Sequence, residues 1–184
     1  MQELLDRDIF VGARVKDDER LARTELRRQI GSVPQDAMLF YGTLRENLVL
    51  ADPHASDEAV LRASEIACLT EFVDGHPRGY DLIVGERGES LSGGQRKCVT
   101  LARALIHHPP ILLMDEPTGS MDHSTEAWVK QQLDQKTRGK TFVVVTHRTS
   151  LLDLVDRVMV MDAGQFVADG PKASVVDALR QRRI

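Results

Sequence analysis

Short apolar runs alternate with amphipathic segments through the second half of the chain. Residues 111–114 and 141–146 are the apolar runs, and residues 92–107 and 124–136 carry apolar side chains at helical spacing. Residues 157–168, with Ala-Gly at their centre, predict a β-hairpin. Strands that are apolar throughout, with helices between them, are typical of a parallel sheet covered on both faces. We therefore predict an α/β fold.

The first half of the chain has a weaker pattern. Residues 1–23 are irregular, whereas residues 24–34 predict a short helix followed by an extended segment. Residues 56–73 carry apolar side chains at helical spacing, and Ser56 is a suitable N-cap for that helix. We expect a helical region over about residues 36–90, inserted before the second half of the sheet.

The composition is that of an ordinary globular protein, and 184 residues fit one domain. The net charge is −4 and the basic residues are scattered, which disfavours nucleic acid as a partner. No apolar run approaches the roughly 20 residues that a membrane-spanning helix needs. Cys68 and Cys98 lack metal-ligand spacing, so we expect two buried free thiols in a reducing cytosol.

Polar, reactive residues follow both apolar runs. In open α/β sheets, ligands bind at the carboxyl ends of the strands, where Asp115, Glu116 and His147 would lie. Asp115 suits a hard cation such as Mg²⁺, and Glu116 could orient or deprotonate a water. His147 could donate a hydrogen bond to a phosphate oxygen. Taken alone, the two acids fit a solvated carboxylate pair equally well, and a lone histidine is more often structural.

A glycine pair stands directly before the helix predicted over residues 92–107. Its context is Leu91, Ser92, Gly93, Gly94 and Gln95. Glycines let a backbone approach a ligand closely, and a helix N-terminus attracts anions through its free N–H groups and its dipole. The Ser92 hydroxyl could contact such an anion or act as a plain N-cap.

The order of these motifs resembles one family, the ABC ATPases. The string LSGGQ at residues 91–95 is followed by ILLMDEPT at residues 111–118, and then by a strand that ends in Thr-His. Residues 33–36 resemble the family's Q-loop. Residues 118–122 resemble its D-loop, with Met121 where leucine is commoner. The resemblance runs from about residue 24 to the end of the chain and implies a P-loop NTPase-like domain.

The resemblance implies roles within one subunit for four residues. Gln35 is similar to the residue that contacts Mg²⁺ and couples the site to a transmembrane partner. Asp115 resembles the Walker B aspartate on Mg²⁺, Glu116 the catalytic base, and His147 the switch histidine on the terminal phosphate of ATP. The implied cofactors are therefore ATP and Mg²⁺, and the implied activity is ATP hydrolysis.

Other residues act across a subunit interface in this family. Ser92, Gly93, Gly94 and Gln95 belong to the signature motif, which completes the nucleotide site of an opposing subunit. Asp122 resembles the D-loop residue that crosses the interface. The expected partners are a second nucleotide-binding domain, in a head-to-tail dimer, and an exporter's transmembrane domain at the cytoplasmic face of the plasma membrane.

The family's phosphate loop, G-x-x-x-x-G-K-[ST], has no match ahead of Gln35, where the glycines are Gly12 and Gly31. We therefore expect residues 1–184 to be a partial ABC ATPase domain that lacks the first strands and the loop. Residues 4–9 would correspond to the strand after the loop's helix. Such a domain should bind ATP very weakly and expose apolar surface beside its sheet. A non-catalytic remnant that serves only as an interaction module is the alternative.

Further motifs indicate the kind of transporter. Residues 40–47 resemble the GT-x-x-EN turn of exporters, and residues 79–81 ahead of 85–88 resemble exporters as well. Within that segment, residues 86–88 resemble the exporter-specific loop that touches the transmembrane coupling helices. Residues 147–152 and 167–172 are most similar to type I secretion ATPases, with lipid and peptide exporters as alternatives. Chromosome-maintenance ATPases share this fold but insert a long coiled coil between the Q-loop and the signature motif. Residues 36–91 have no sustained heptads, which excludes that class.

Overall fold

The structure is a computed structural model that describes residues 9–10 and 23–181, with side chains from residue 26 onward. Its strands are β1 (Ile9–Phe10), β2 (Ile30–Val33), β3 (Ile111–Asp115), β4 (Thr141–Thr146), β5 (Arg157–Asp162) and β6 (Gln165–Pro171). Its α-helices are α1 (Arg23–Arg28), α2 (Leu44–Leu48), α3 (Asp57–Ile66), α4 (Thr70–Asp74), α5 (Gly93–Leu105), α6 (His123–Lys136) and α7 (Lys172–Arg180). In this part of the chain no helix is long and apolar enough to cross a bilayer.

The strands form one sheet in the order β2-β3-β4-β1-β5-β6. The β2, β3 and β4 strands are parallel, which confirms the predicted α/β fold with a parallel core. The predicted hairpin is also confirmed, because β5 and β6 pair antiparallel through Ala163 and Gly164, whose φ angles are 47° and 76°. Positive φ at both central positions matches the twist of a tight hairpin.

The β1 strand lies in the middle of the sheet and runs antiparallel to both neighbours. Ile9 pairs with Thr146 of β4 on one side and with Val160 of β5 on the other. The strand that we predicted over residues 4–9 therefore lies outside the described residues except for Ile9.

The helix predicted over residues 56–73 is two helices, α3 and α4. The chain turns between them at Cys68, whose φ of 59° lies in the left-handed region and cannot continue a right-handed helix. The prediction of one continuous helix was therefore wrong. Ser56 caps α3 as expected, since its hydroxyl accepts a hydrogen bond of 3.2 Å from the Ala59 N–H.

The core lies between α5 and the β2–β3 part of the sheet, where Val99, Leu101 and Leu112 are fully buried. On the other face of the sheet, Leu113 in the middle of β3 is 39% exposed. A central strand of a parallel sheet is normally covered on both faces. The exposure of Leu113 therefore agrees with the expected apolar surface beside the sheet.

Gly31 allows α5 to approach β2 closely. A methyl group at this position would lie 2.3 Å from the Ala104 carbonyl oxygen and 2.8 Å from Leu112 Cδ2. We expect Gly31→Ala to lower the free energy of unfolding by about 1–3 kcal/mol, because a packed core accommodates an extra methyl only by shifting backbone. Gly170→Ala is the control, since its methyl would lie 3.7 Å from Val175 Cγ2. Equal urea midpoints for the two variants would refute this packing argument.

The two cysteines are free thiols, as predicted, but they differ in burial: Cys98 is buried, whereas Cys68 is partly exposed. Burial raises the pKa of Cys98 to about 12, so almost no thiolate forms near neutral pH. Burial and the nearby Glu71 carboxylate also raise the pKa of Cys68.

We expect iodoacetamide to alkylate Cys68 slowly in the folded chain and Cys98 only after unfolding. Mass spectrometry of the modified peptides, with and without urea, measures both rates. Rapid alkylation of Cys98 in buffer would show that the α5 packing is wrong.

Candidate active site

The carboxyl ends of β3 and β4 bring Glu116 and His147 into direct contact. Glu116 Oε1 accepts a hydrogen bond of 2.8 Å from the His147 backbone N–H and lies 2.6 Å from His147 Nδ1. The other carboxylate oxygen, Oε2, accepts one of 3.2 Å from the Thr146 hydroxyl. The Glu116 side chain is 14% exposed and the His147 side chain 49%. The two residues that we predicted to be catalytic therefore form one unit.

Glu116 holds an uncommon backbone conformation, with a φ of 44°. Its N–H still bonds the Val145 carbonyl of β4 at 2.9 Å, and its own carbonyl accepts from Gly119 at 3.0 Å. The chain therefore leaves β3 through a tight turn that directs the Glu116 carboxylate sideways, toward His147. Left-handed non-glycine residues are costly and occur preferentially at functional sites.

A cavity of about 450 Å³ opens beside this pair, within the roughly 300–1,000 Å³ usual for small-molecule sites. Three segments meet there: the loop after β2, the start of α5 and the strand ends with their following loops. Its lining residues are Gln35, Asp36, Ala37, Gly93, Arg96, Lys97, Glu116, Gly119, Ser120 and His147. The structure therefore brings together Gln35, Gly93, Glu116 and His147 of the predicted site. Asp115 is half-buried at the end of β3 and does not line the cavity.

Within the signature motif, the polar side chains cap helix α5 and the glycines allow close packing. Ser92 and Gln95 form a capping box: the Ser92 hydroxyl accepts from Gln95 N at 3.1 Å, and Gln95 Oε1 accepts from Ser92 N at 2.9 Å. Added methyl groups at Gly93 and Gly94 would lie 3.2 Å and 3.0 Å from Ser120 atoms. The two glycines thus let the start of α5 pack against the loop at Ser120. Of the two interpretations of Ser92, this conformation shows the N-cap.

Asp122, predicted to cross a subunit interface, caps α6 and does not line the cavity. Its carboxylate accepts hydrogen bonds from the Ser124 hydroxyl at 2.5 Å, the Thr125 N–H at 2.9 Å and the Thr125 hydroxyl at 2.8 Å. Hydrogen bonds from Ser124 and Thr125 hold the pKa of Asp122 well below its usual range. This side chain is therefore already engaged within its own subunit.

Lys97 is a site residue that the sequence analysis missed. It is 4% exposed, and its ammonium donates to the carbonyls of Pro34 at 2.9 Å, Gln35 at 2.7 Å and Asp115 at 3.3 Å. Burial lowers its pKa, and the Asp115 carboxylate, with others nearby, opposes that shift. Lys97 thus fastens the Gln35 segment to the end of β3. The sequence did offer a signal that Lys97 is buried, because it lies one helical turn before Leu101 and therefore on the buried face of α5.

A second set of hydrogen bonds holds the segment after His147. The Arg148 guanidinium pairs with the Glu126 carboxylate, which also accepts a hydrogen bond of 2.7 Å from the Ser150 hydroxyl. The Arg148 backbone N–H donates a hydrogen bond of 3.0 Å to the Thr146 hydroxyl. These bonds therefore hold the backbone at His147 in place beside Glu116.

The donor set at the cavity fits Mg²⁺ only together with a phosphate ligand. Among the described residues, no group of three or more His, Cys, Asp or Glu side chains is arranged to hold a metal. Mg²⁺ commonly takes one or two protein oxygens and completes its shell with waters and phosphate oxygens. The predicted oxygen donors are Gln35, which lines the cavity, and Asp115, which lies at the end of β3 outside the cavity lining. The Glu116 carboxylate is mostly engaged by Thr146 and His147.

Comparison with known proteins gives a consistent match. The family model described as ABC transporter matches residues 8–119. A Staphylococcus aureus (strain NCTC 8325 / PS 47) multidrug export ATP-binding/permease protein is 39% identical over 151 residues, which are 82% of this chain and 26% of that protein. A Mycobacterium bovis (strain BCG / Pasteur 1173P2) multidrug efflux ATP-binding/permease protein is 42% identical over 155 residues, 84% of this chain and 13% of that one.

A solved structure extends the match to three dimensions. A bacterial Atm1-family ABC exporter with ATP bound superposes with a TM-score of 0.80 and 32% identity, covering 88% of this chain and 30% of the exporter chain. The chain therefore spans less than a third of the length of each of these relatives.

Proposed function

Since this chain belongs to the ABC transporter family, we propose that it binds and hydrolyses ATP to drive an ABC exporter. The observation that carries the proposal is the contact between Glu116 and His147 at the wall of a cavity that also includes Gln35. The named relatives combine ATP-binding and permease parts in one protein. The transmembrane part of such an exporter is the proposed partner, at the cytoplasmic face of the plasma membrane.

Glu116 is the proposed base that orients and deprotonates the attacking water. A carboxylate offers about four acceptor positions. Three contacts, from Thr146 and His147, engage Glu116 here, two at Oε1 and one at Oε2. One position at Oε2 remains for a water. Because the contacts at Oε1 fix the plane of the carboxylate, that water would be held in one direction.

His147 is the proposed donor to the terminal phosphate. With a proton on Nδ1 it donates to Glu116, and a second proton on Nε2 would let it donate to a phosphate oxygen as well. Gln35 and Asp115 would hold Mg²⁺, which neutralises charge on the phosphate oxygens when it is bound. Lys97 holds Gln35 and Asp115 close to each other by donating hydrogen bonds to both of their backbone carbonyls.

The signature segment is proposed to act on a second copy of the domain. The thirteen-residue helix α5 begins at Gly93, and the preceding Ser92 is exposed. A helix N-terminus with two glycines can approach the phosphates of an opposing nucleotide. In a hybrid that carries a relative's phosphate-loop segment ahead of Leu26, replacing Ser92 with arginine should therefore abolish an ATP-dependent dimer while nucleotide binding by the monomer persists. Size-exclusion chromatography with ATP measures this, and a dimer of the variant would contradict the cross-subunit role.

The exported substrate has two candidate classes. The names of the relatives favour small-molecule multidrug export. Residues 147–152 and 167–172 favour type I protein secretion instead. In a complete exporter that contains this chain, drugs should stimulate ATP hydrolysis in the first case. An unfolded secretion substrate should do so in the second.

Calorimetry with Mg·ATP tests the proposed function. We expect weak binding by the 184-residue chain, in which no G-x-x-x-x-G-K-[ST] motif supplies a phosphate cradle. A hybrid that carries a relative's phosphate-loop segment ahead of Leu26 should bind and hydrolyse ATP. A folded hybrid that hydrolyses none would refute the proposal and favour the non-catalytic interaction module.

A further inference from the structure

A groove separate from the candidate active site lies between α3, α4 and α6, and we call it the α3–α6 groove. Its volume is about 750 Å³, and it shares no lining residue with the cavity beside Glu116 and His147. Leu61 of α3, Trp128 of α6 and Cys68 line it. The volume lies within the roughly 300–1,000 Å³ typical of small-molecule sites.

The walls of the α3–α6 groove expose large apolar side chains. Leu61 is 54% exposed and Trp128 is 39% exposed. The Trp128 indole N–H donates a hydrogen bond of 3.0 Å to the Glu65 carbonyl, which satisfies its polar edge and fixes the ring in the groove. The surface that remains for contact is apolar and aromatic, and burying it under a ligand stabilises the complex.

The rim of the groove is acidic. Four carboxylates line it, those of Glu58, Glu65, Glu71 and Asp74, together with the single guanidinium of Arg62. Arg62 pairs with Glu58 at 2.7 Å, so these two charges largely cancel. Glu65, Glu71 and Asp74 have no ion pair within the described residues. Their three negative charges lie beside the apolar wall of the groove and are not balanced by a cationic side chain in this part of the chain.

We propose that the α3–α6 groove binds an aromatic organic cation. Its rings would lie against Leu61 and Trp128, and its charge among Glu65, Glu71 and Asp74. A cation beside an indole ring is attracted by the negative face of the ring in addition to the gain from apolar burial. The surrounding carboxylates attract the same charge and repel an anion of equal size. The proposal does not depend on ATP chemistry, because the groove and the candidate active site have separate walls.

The test uses two probe ions of the same shape and opposite charge, tetraphenylphosphonium and tetraphenylborate. Trp128 is the one tryptophan of the chain, so its fluorescence reports directly on the groove. We expect saturable quenching by tetraphenylphosphonium, weakened by salt, and none by tetraphenylborate at equal concentration. Equal binding of the two ions would overturn the proposal, as would failure of the cation to bind.

Isosteric variants separate charge from shape. Glu65→Gln, Glu71→Gln and Asp74→Asn together should raise the dissociation constant of tetraphenylphosphonium about tenfold, since each exposed carboxylate contributes a modest attraction to the cation. The matched control neutralises three exposed carboxylates away from the groove, by the substitutions Asp81→Asn, Glu89→Gln and Asp177→Asn. An unchanged dissociation constant in the groove variant, or an equal loss in the control, would overturn the proposal.

Two other occupants would give distinct results. If a second copy of the chain covers the groove, Trp128 emission changes on dilution of the protein alone. If a polypeptide covers it, a lysine-rich amphipathic peptide quenches Trp128 while tetraphenylphosphonium does not. Either result would overturn the proposal of an aromatic cation. Circular dichroism of each variant verifies that the fold is retained.

Discussion

We expect ATP turnover to fall by about 10²–10⁴-fold when Glu116 is replaced by glutamine in the hybrid domain that carries a phosphate loop, a range typical for a positioned acid–base group. Glutamine is nearly isosteric with glutamate, so nucleotide and Mg²⁺ binding should survive. Its amide cannot take a proton from water, and its NH₂ group would face a donor if it replaced Oε1 beside His147 Nδ1. Because nucleotide binding survives while hydrolysis slows, the ATP-bound dimer should persist.

Single-turnover kinetics measures the chemical step, and size-exclusion chromatography measures the dimer. Glu89→Gln is the matched control, because Glu89 is exposed and does not line the cavity. That variant should keep the parent rate. Turnover at the parent rate by Glu116→Gln would show that the role proposed for Glu116 is wrong.

Replacing Lys97 with methionine should lower the free energy of unfolding by about 1–3 kcal/mol, because three partly buried carbonyls lose a charged hydrogen-bond donor. The carbonyls of Pro34, Gln35 and Asp115 would all lose this donor. The Gln35 segment should then detach from β3 more often. Urea unfolding measures the stability, and hydrogen exchange of the amides at residues 35–37 measures the detachment.

Lys130→Met is the control for Lys97→Met. Lys130 forms an ion pair of 2.6 Å with Asp153, but its side chain is 30% exposed and that of Asp153 72%. Exposed ion pairs contribute about 0–1 kcal/mol, so this variant should change stability less and leave exchange at the Gln35 segment unaltered. Equal exchange rates at that segment in both variants would contradict the role given to Lys97.

Sequence periodicity could predict the parallel strands, and the motif order predicted the family. The meeting of Glu116 and His147 was also predictable, since each follows an apolar run and adjacent parallel strands end at the same edge. These features depend on local pattern and on one general rule of sheet topology.

The rest depended on contacts between distant segments. The break at Cys68 carries no glycine or proline, so local chemistry gave no signal for two helices. The position of β1 between β4 and β5 is set by tertiary pairing with strands that lie far away in the sequence. Asp122 as a cap of α6 was readable from its position before His123, but the family resemblance directed attention to an interface role.

The position of β1 between β4 and β5 has a mechanical consequence. Within the described sheet, Ile9 and Phe10 provide the backbone pairing between the β2-β3-β4 part and the β5-β6 hairpin. Outside the sheet, ion pairs such as Lys130–Asp153 tie α6 to the segment before β5. The β5 and β6 strands pair along their whole length and α7 follows β6 directly, so these three elements form one unit. Under a pulling force applied across it, β5, β6 and α7 should separate as one block before either half of the sheet unravels.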